Sequence, residues 1–308
     1  MSEPEISFRL NPLLDFFHLL VSREPARSVG RWVARLGDSL PPCPAEVRPE
    51  GLGWRDIGDY ADLVRAVEAE GERNESWHSC AQMLRDSEPI YRKFLAGWRE
   101  ELKPAAASAL EEWREDFRSR RPLESIQRLL RKRYPYDTLI IHSTPLNPTM
   151  SYSPGLGEIF CGSEKRPDGA WRVLARISLF IGHEVCHILM EEASPTLLSD
   201  LRFAELVNRW QHEYPALEYP RYGIPEECCH AVMNRVAVDT GEMAYTEMKK
   251  MMGGGLWADC TLYDIIQAGW DDFQRNDSGW ASINDFLIDC ALEFLSGSGP
   301  SGAAGEKA

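Results

Sequence analysis

The stretch VLARISLFIGHEVCHILM, residues 173–190, decides how the rest of the chain is interpreted. It is the most apolar long window of the sequence, and its apolar side chains recur at the spacing of a buried helix. Arg176, His183, Glu184 and His187 interrupt the apolar run, so it cannot cross a bilayer uncompensated. The window is therefore expected to be a core helix that carries chemistry.

The pentapeptide HEVCH, residues 183–187, has the composition of a metal site. We predict a helix from Trp171 to Glu192, and on a helix residues four apart lie one turn above each other, so both imidazoles point the same way. Burying Glu184 beside two ordinary core histidines would be costly, and a metal ion removes that cost. We expect His183 and His187 to bind Zn²⁺, with Glu184 as general base.

A catalytic zinc needs a third protein ligand and an open fourth position. The residues directly after His187 do not supply it, because Met190 and Ala193 stand where the metzincin pattern has glycine and histidine. Glu191 lies about 12 Å along the helix from His183, too far to share one ion. The third ligand is therefore expected on another helix, where the candidates are Glu205, His212, Glu226 and Glu227.

A helical wheel favours Glu226 among these candidates. In a helix predicted from Pro225 to about Met252, apolar side chains gather on one side of Glu226. Glu227 falls nearer Asn234 and is expected to be solvated. Glu205 remains the rival, although its neighbours on the wheel are mixed. An ordinary acidic first turn is the alternative interpretation of Glu226 and Glu227.

HEVCH on a helix after short strands, with a later glutamate on a separate helix, resembles the zincin metallopeptidases of the glutamate-ligand branch, the gluzincins. The resemblance covers at most residues 135–250. It implies zinc bound by His183, His187 and Glu226, and hydrolysis of a peptide or protein substrate. Zinc would activate water and polarise the scissile carbonyl, while Glu184 takes the proton and passes it to the leaving amine.

The rest of a gluzincin site is matched less closely. Many gluzincins carry an aspartate four residues after the ligand glutamate, where this chain has His230. His230, Tyr222 and Arg221 lie on or just before the predicted ligand helix and are the candidate donors to the oxyanion. In zincins an edge strand holds the substrate backbone, and Gly157–Gly162 is the expected equivalent.

The pattern around the motif predicts an α+β fold that is predominantly helical, with a small sheet preceding the HExxH helix. Thr138–His142 and Glu158–Cys161 are the expected strands. The predicted division has a helical N-terminal region of unknown role at 1–134, a zincin-like domain at 135–295 and a disordered tail at 296–308. Other expected elements are a helix from Asn11-Pro12 to Val33, helices over 54–133, a loop at Ser143–Gly155, a helix at Ser199–His212, a loop at Tyr214–Pro225 and two helices before Leu295.

Composition and charge limit which classes of partner and which cellular compartment we expect for this protein. The 308 residues carry a formal net charge of −14, which repels phosphate backbones, so we expect no nucleic acid partner. The start of the sequence lacks the basic and apolar pattern of a secretory signal, and no membrane segment is expected. The eight cysteines contain no CxxC pair and are expected to be reduced thiols, which indicates a cytoplasmic protein.

Two other functions compete with the peptidase. Cys228-Cys229-His230 could lend a thiolate to His183 and His187, which would close the site as a structural, non-catalytic zinc site. A structural site has no use for Glu184, which favours the peptidase. A helical interaction protein with a degenerate site is the third alternative, and the intact pentapeptide argues against it.

Overall fold

The computed structural model describes residues 4–21, 31–41, 43–44, 47–145, 151–165, 171–173, 177–192, 197, 199–213, 219–239, 261–275 and 279–297. Within these residues the fold is α+β and predominantly helical, as predicted. No helix in the described part of the chain combines the length and the apolar character that crossing a membrane requires.

The sheet brings together the start of the chain and its middle. Its strands are β1 (Glu5–Leu10), β2 (Thr138–Thr144), β3 (Ser151–Gly155), β4 (Glu158–Lys165) and β5 (Trp171–Val173). The strand order is β1-β2-β4-β3, and β5 also pairs with β4. β1 and β4 both run parallel to β2, whereas β3 and β5 are antiparallel to β4. The β2 side chains are buried after the first residue, which explains its uninterrupted apolar run.

The two expected strands are confirmed as β2 and β4, but three strands were not expected. β1 is a short segment with few apolar residues, and β3 lies inside the predicted loop Ser143–Gly155. β3 and β4 form a hairpin whose tip, Leu156-Gly157, has positive φ at both residues, as in a type I′ turn. β5 occupies the start of the helix predicted from Trp171, and that helix begins at Ile177 instead.

The position of β4 corrects one functional expectation. Glu158 to Gly162 pair with β2 on one side, while the same stretch pairs with β3 on the other. The segment Gly157–Gly162 is therefore not an edge strand, and the expectation that it holds a substrate backbone is wrong. Strand addition needs unpaired backbone groups, which an internal strand does not offer.

The helices occur along the chain in the expected order. They are α1 (Pro12–Val21), α2 (Arg31–Asp38), α3 (Tyr60–Gly71), α4 (Glu75–Gly97), α5 (Lys103–Arg120), α6 (Pro122–Leu130), α7 (Ile177–His187), α8 (Leu201–Glu213), α9 (Tyr219–Asp239), α10 (Thr261–Arg275) and α11 (Ile283–Gly297). The Asn11 side chain caps α1 by accepting from the N–H groups of Leu13 and Leu14, as the Asn-Pro signal predicts. π-helical turns lie at Trp98–Leu102 and Ile188–Glu192.

One helix prediction stays open and another needs correction. The helix expected to run to Val33 is described as α1 to Val21 and as α2 from Arg31, and residues 22–30 lie outside the described residues. α9 begins at Tyr219 rather than Pro225, because Pro220 supplies the proline that suits a first turn. Its expected continuation to Met252 and the tail after residue 297 lie outside the described residues. The acidic-first-turn interpretation of Glu226 and Glu227 is therefore wrong, since both follow the first turn.

The chain divides into two compact units. The first contains Met1–Ser119 and Tyr136–Glu184, and the second contains Arg120–Pro135 and Val185–Ala308. The expected boundary at residue 134 stays a prediction. In the first unit, Phe17 of α1 packs between the rings of Trp54 and Trp77, at 5.6 and 6.2 Å between centroids. Trp54 also contacts Phe160 of β4, so the sheet and the helices share one core.

The second unit has its own aromatic core. Phe273 of α10 stacks on Phe286 of α11 with 5.0 Å between ring centroids, and Trp270 packs against both rings. The end of α6 is joined to the end of α10: the Arg131 guanidinium donates to the Phe273 carbonyl and lies over its ring. These contacts place α6 with the C-terminal helices.

Candidate metal centre

The HExxH motif lies at the end of α7, as expected. His183 and Glu184 are 7% and 4% exposed, and the two residues that follow are fully buried. His187 is only partly buried. Because α7 is continuous from Ile177 to His187, the two histidines are one helical turn apart on the same side. The helix therefore provides the pairing of imidazoles that the motif predicts.

The charge of Glu184 acts on the thiol of Cys161 on β4. Burial raises the pKa of Cys161 well above its ordinary value, and the charge of Glu184 raises that pKa further. The thiol therefore stays protonated at neutral pH, so the charge next to the Glu184 carboxylate is not doubled. Ser143 on β2 pairs in register with Cys161 on β4, and Ser143 is also buried.

His187 is contacted by a thiol from α9. Cys229 Sγ lies 3.4 Å from His187 Nδ1 and 3.8 Å from Met190 Sδ, and it is almost fully buried. A contact at Nδ1 fixes the orientation of the ring and leaves metal binding to the other nitrogen, Nε2. The described residue that contacts the His187 ring is thus Cys229, whereas the sequence had directed attention to its neighbour His230.

The backbone just after the motif is held by a lysine. Lys132 Nζ donates to the Leu189 carbonyl and to Asn284 Oδ1, both at 3.1 Å. Burial lowers the pKa of Lys132 to about 8. This contact could not be predicted from local patterns, because it joins a loop after α6 to the π-helical turn after α7 and to α11 across long separations in the chain.

The candidate third ligands are placed as follows. Glu226, Glu227, Tyr222 and Arg221 lie on α9, and their side chains are outside the described residues. Glu205 and His212 are both exposed on α8. His230 follows Cys229 and is partly exposed. Among the side chains that the structure describes, no three His, Cys, Asp or Glu residues form a group that could hold a metal.

The wheel argument for Glu226 loses force in the structure. Asn234 was expected on a solvated face together with Glu227, but it is 5% exposed. α9 is buried on several sides because α6, α8 and α10 all contact it. Among its side chains that the structure describes, the buried ones are Cys228, Cys229, Ala231, Val232, Met233, Asn234, Val236 and Ala237. The pattern of burial therefore does not separate Glu226 from Glu227.

No family model matches this chain, and no curated protein or solved structure matches it. Its function must be argued from its own residues.

One buried polar pair was missed by the sequence. His142 Nε2 on β2 lies 3.1 Å from Glu158 Oε1 on β4, and both side chains are 1% exposed. The other carboxylate oxygen accepts the N–H of Trp54 at 3.0 Å. The signal was hidden because His142 lies near the end of β2 and Glu158 begins β4, and the two become neighbours through the parallel pairing of these strands. This pair joins the sheet to the segment at Trp54 and has no part in the motif.

Proposed function

We propose that the protein is a zinc-dependent peptidase that hydrolyses amide bonds of a peptide or protein substrate in the cytoplasm. The observation that carries the proposal is the burial of His183 and Glu184, next to His187, at the end of a continuous helix. A buried carboxylate beside two imidazoles is costly unless it serves a cation or a reacting group.

The donor set fits Zn²⁺. Two imidazoles one turn apart are ordinary zinc ligands, and the Cys229 contact at His187 Nδ1 supplies the outer partner that metal-bound histidines usually have. Glu226 is the proposed third ligand, with Glu227 as the alternative. Zn²⁺, when bound, supplies Lewis acidity for the attack of water on an amide carbonyl.

Separate residues of the protein carry out proton transfer, orientation of a histidine and stabilisation of the oxyanion. Glu184 takes the proton of the attacking water through its carboxylate and delivers it to the leaving amine, which needs a base in hydrogen-bond reach of both. Cys229 holds the His187 ring in place. Tyr222 and His230 are the proposed donors to the oxyanion, because a second donor besides the metal lowers the barrier further.

Substitution of Glu184 by Gln tests the general base. Glu184→Gln keeps the shape of the side chain and removes its basicity, so peptidase activity on an unfolded casein substrate should fall by at least 100-fold, in line with a lost general base. Zinc content, measured by atomic absorption, should be unchanged. Glu293→Gln, on the exposed face of α11, is the matched control and should retain full activity. Retention of activity in Glu184→Gln would show that another group takes the proton.

A second function, a closed structural zinc site, is compatible with one measured distance. Two ligands of a tetrahedral zinc, one sulfur and one nitrogen, stand about 3.5 Å apart when bond lengths are near 2.3 and 2.0 Å. Cys229 Sγ and His187 Nδ1 are separated by 3.4 Å. The distance is thus compatible with a shared ion as well as with a hydrogen bond.

Cobalt substitution separates the two functions. A thiolate bound to Co²⁺ gives an intense near-ultraviolet charge-transfer band, which a thiol outside the coordination sphere does not give. The peptidase predicts that the band is absent and that Cys229→Ser retains the metal with weaker affinity. The structural site predicts a band that Cys229→Ser abolishes and Cys228→Ser, its buried neighbour, leaves in place.

A further inference from the structure

A pair of thiols lies in the first unit, apart from the candidate metal centre. Cys43 belongs to the proline-rich segment before Trp54, and Cys80 lies in α4. Leu40 and Val47, on either side of Cys43, are both buried in the core that also contains Cys80. Cys43 itself is partly buried and packs against the same core.

The two thiols touch each other. Their side chains are hydrogen-bonded, and Cys43 is partly exposed whereas Cys80 is fully buried. The hydrogen bond from Cys80 lowers the pKa of Cys43, while that bond and burial raise the pKa of Cys80. Cys43 is thus accessible to solvent and is the more acidic of the two thiols, whereas Cys80 is buried.

We propose that Cys43 and Cys80 are a site of reversible oxidation by hydroperoxides, with Cys43 as the attacked thiol and Cys80 as the resolving thiol. Neither residue belongs to the proposed peptidase machinery, so the inference stands independently of it. The absence of a CxxC motif hid this pair, since the residues meet only through the packing of the proline-rich segment on α4.

The reaction balances with one peroxide. The Cys43 thiolate attacks one peroxide oxygen and the O–O bond breaks, which gives a sulfenic acid and, after protonation, one water. The Cys80 sulfur then attacks the Cys43 sulfur, the S–OH bond breaks, and the thiol proton leaves with the hydroxide as a second water. Two thiols lose two electrons in total, and the peroxide gains them.

The disulfide should stabilise the first unit. It would tie the segment before Trp54 to α4 and so restrict the unfolded chain. Trp54 donates its backbone N–H to Glu158 on β4, so the segment that the disulfide would tie down is also hydrogen-bonded to the sheet. We expect oxidation to raise the Tm by roughly 5–10 °C.

Peptide mapping tests the proposal on the full chain. The reduced protein is treated with equimolar hydrogen peroxide, its remaining thiols are alkylated, and trypsin is added. Because trypsin does not cut before Pro49, Cys43 is released in the peptide Leu36–Arg55 and Cys80 in Asn74–Arg85. A disulfide-linked pair of these two peptides is the expected product, and dithiothreitol should reverse it together with the rise in Tm.

Two variants complete the experiment. Cys43→Ser should lose both the linked peptides and the rise in Tm, whereas Cys290→Ser, a buried thiol on α11, should keep both. Urea-unfolded protein should form the pair less selectively than the folded protein, with other pairings present. Independent oxidation of the two thiols to sulfinic acids in folded protein, or equal selectivity in urea, would overturn the proposal.

Discussion

Removing the amine of Lys132 should change how stability depends on pH. The amine donates to the Leu189 carbonyl, two residues after the motif, and to Asn284, and burial lowers its pKa from 10.5 to about 8. Below pH 8 the amine is charged in both the folded and the unfolded chain, so the cost of partly burying that charge is fully present. Between pH 8 and 10.5 the folded chain loses the proton first, and the free energy of unfolding rises with pH.

The size of this effect follows from the two pKa values. Their difference corresponds to about 3 kcal/mol, and because Lys132 is only partly buried we expect about 1–2 kcal/mol after allowing for solvent screening. Lys132→Met removes the titrating group and keeps most of its apolar stem. The stability of the natural protein minus that of Lys132→Met should therefore grow by this amount between pH 7 and pH 10.

Urea denaturation at several pH values measures the difference directly. Tyr60 and Tyr91, whose pKa values burial raises, also titrate in alkali, but they are present in both proteins and cancel. Lys93→Met, at an exposed position on α4, is the matched control and should give a difference independent of pH. A flat difference for Lys132→Met would mean that the amine stays charged at no cost and that burial is not what sets its pKa.

Two further predictions concern the first unit. His18 in α1 is buried and its pKa is lowered from 6.5 to about 4, so the natural protein should lose about 3 kcal/mol of stability as pH falls through that interval. His18→Gln should lose less, which urea titrations at pH 7 and pH 4.5 can measure. Leu156 at the β3–β4 hairpin tip has φ of 56° and is 60% exposed, so Leu156→Asn should raise the free energy of unfolding by about 1 kcal/mol. Leu292→Asn, exposed on α11, should not raise it, and an equal gain in both would exclude backbone strain as the cause.

Local patterns explain what the sequence predicted correctly. The run at Leu139–Ile141 is apolar without interruption because β2 lies between two other strands and is buried on both faces. The spacing of HEVCH needs only helical geometry to bring its imidazoles to one side. The Asn11 cap needs only the next three residues. Each of these signals is complete within a few residues of the feature that it predicts.

The errors occurred where two local signals compete or where a distant partner decides. Pro220 and Pro225 are both suited to open a helix, and only the structure shows that α9 begins with the first. β3 contains Pro154, which argues against a central strand but is tolerated in a strand beside only one partner. Asn234 is polar, yet three neighbouring helices enclose α9, and no periodicity along α9 could have revealed them.

In the candidate metal centre too, some features follow from local sequence and others depend on residues that are distant in the chain. The pairing of the two imidazoles on α7 follows from their spacing, whereas the thiol that contacts His187 comes from α9 and depends on tertiary packing. Cys229 reaches His187 because it lies on the side of α9 that also contacts Met190. A carboxylate in that position would bring a second negative charge close to the motif that contains Glu184, which a thiol does only when it is deprotonated. A protonated thiol would therefore orient the His187 ring while leaving the negative charge of the proposed centre on Glu184, the residue proposed to accept the proton.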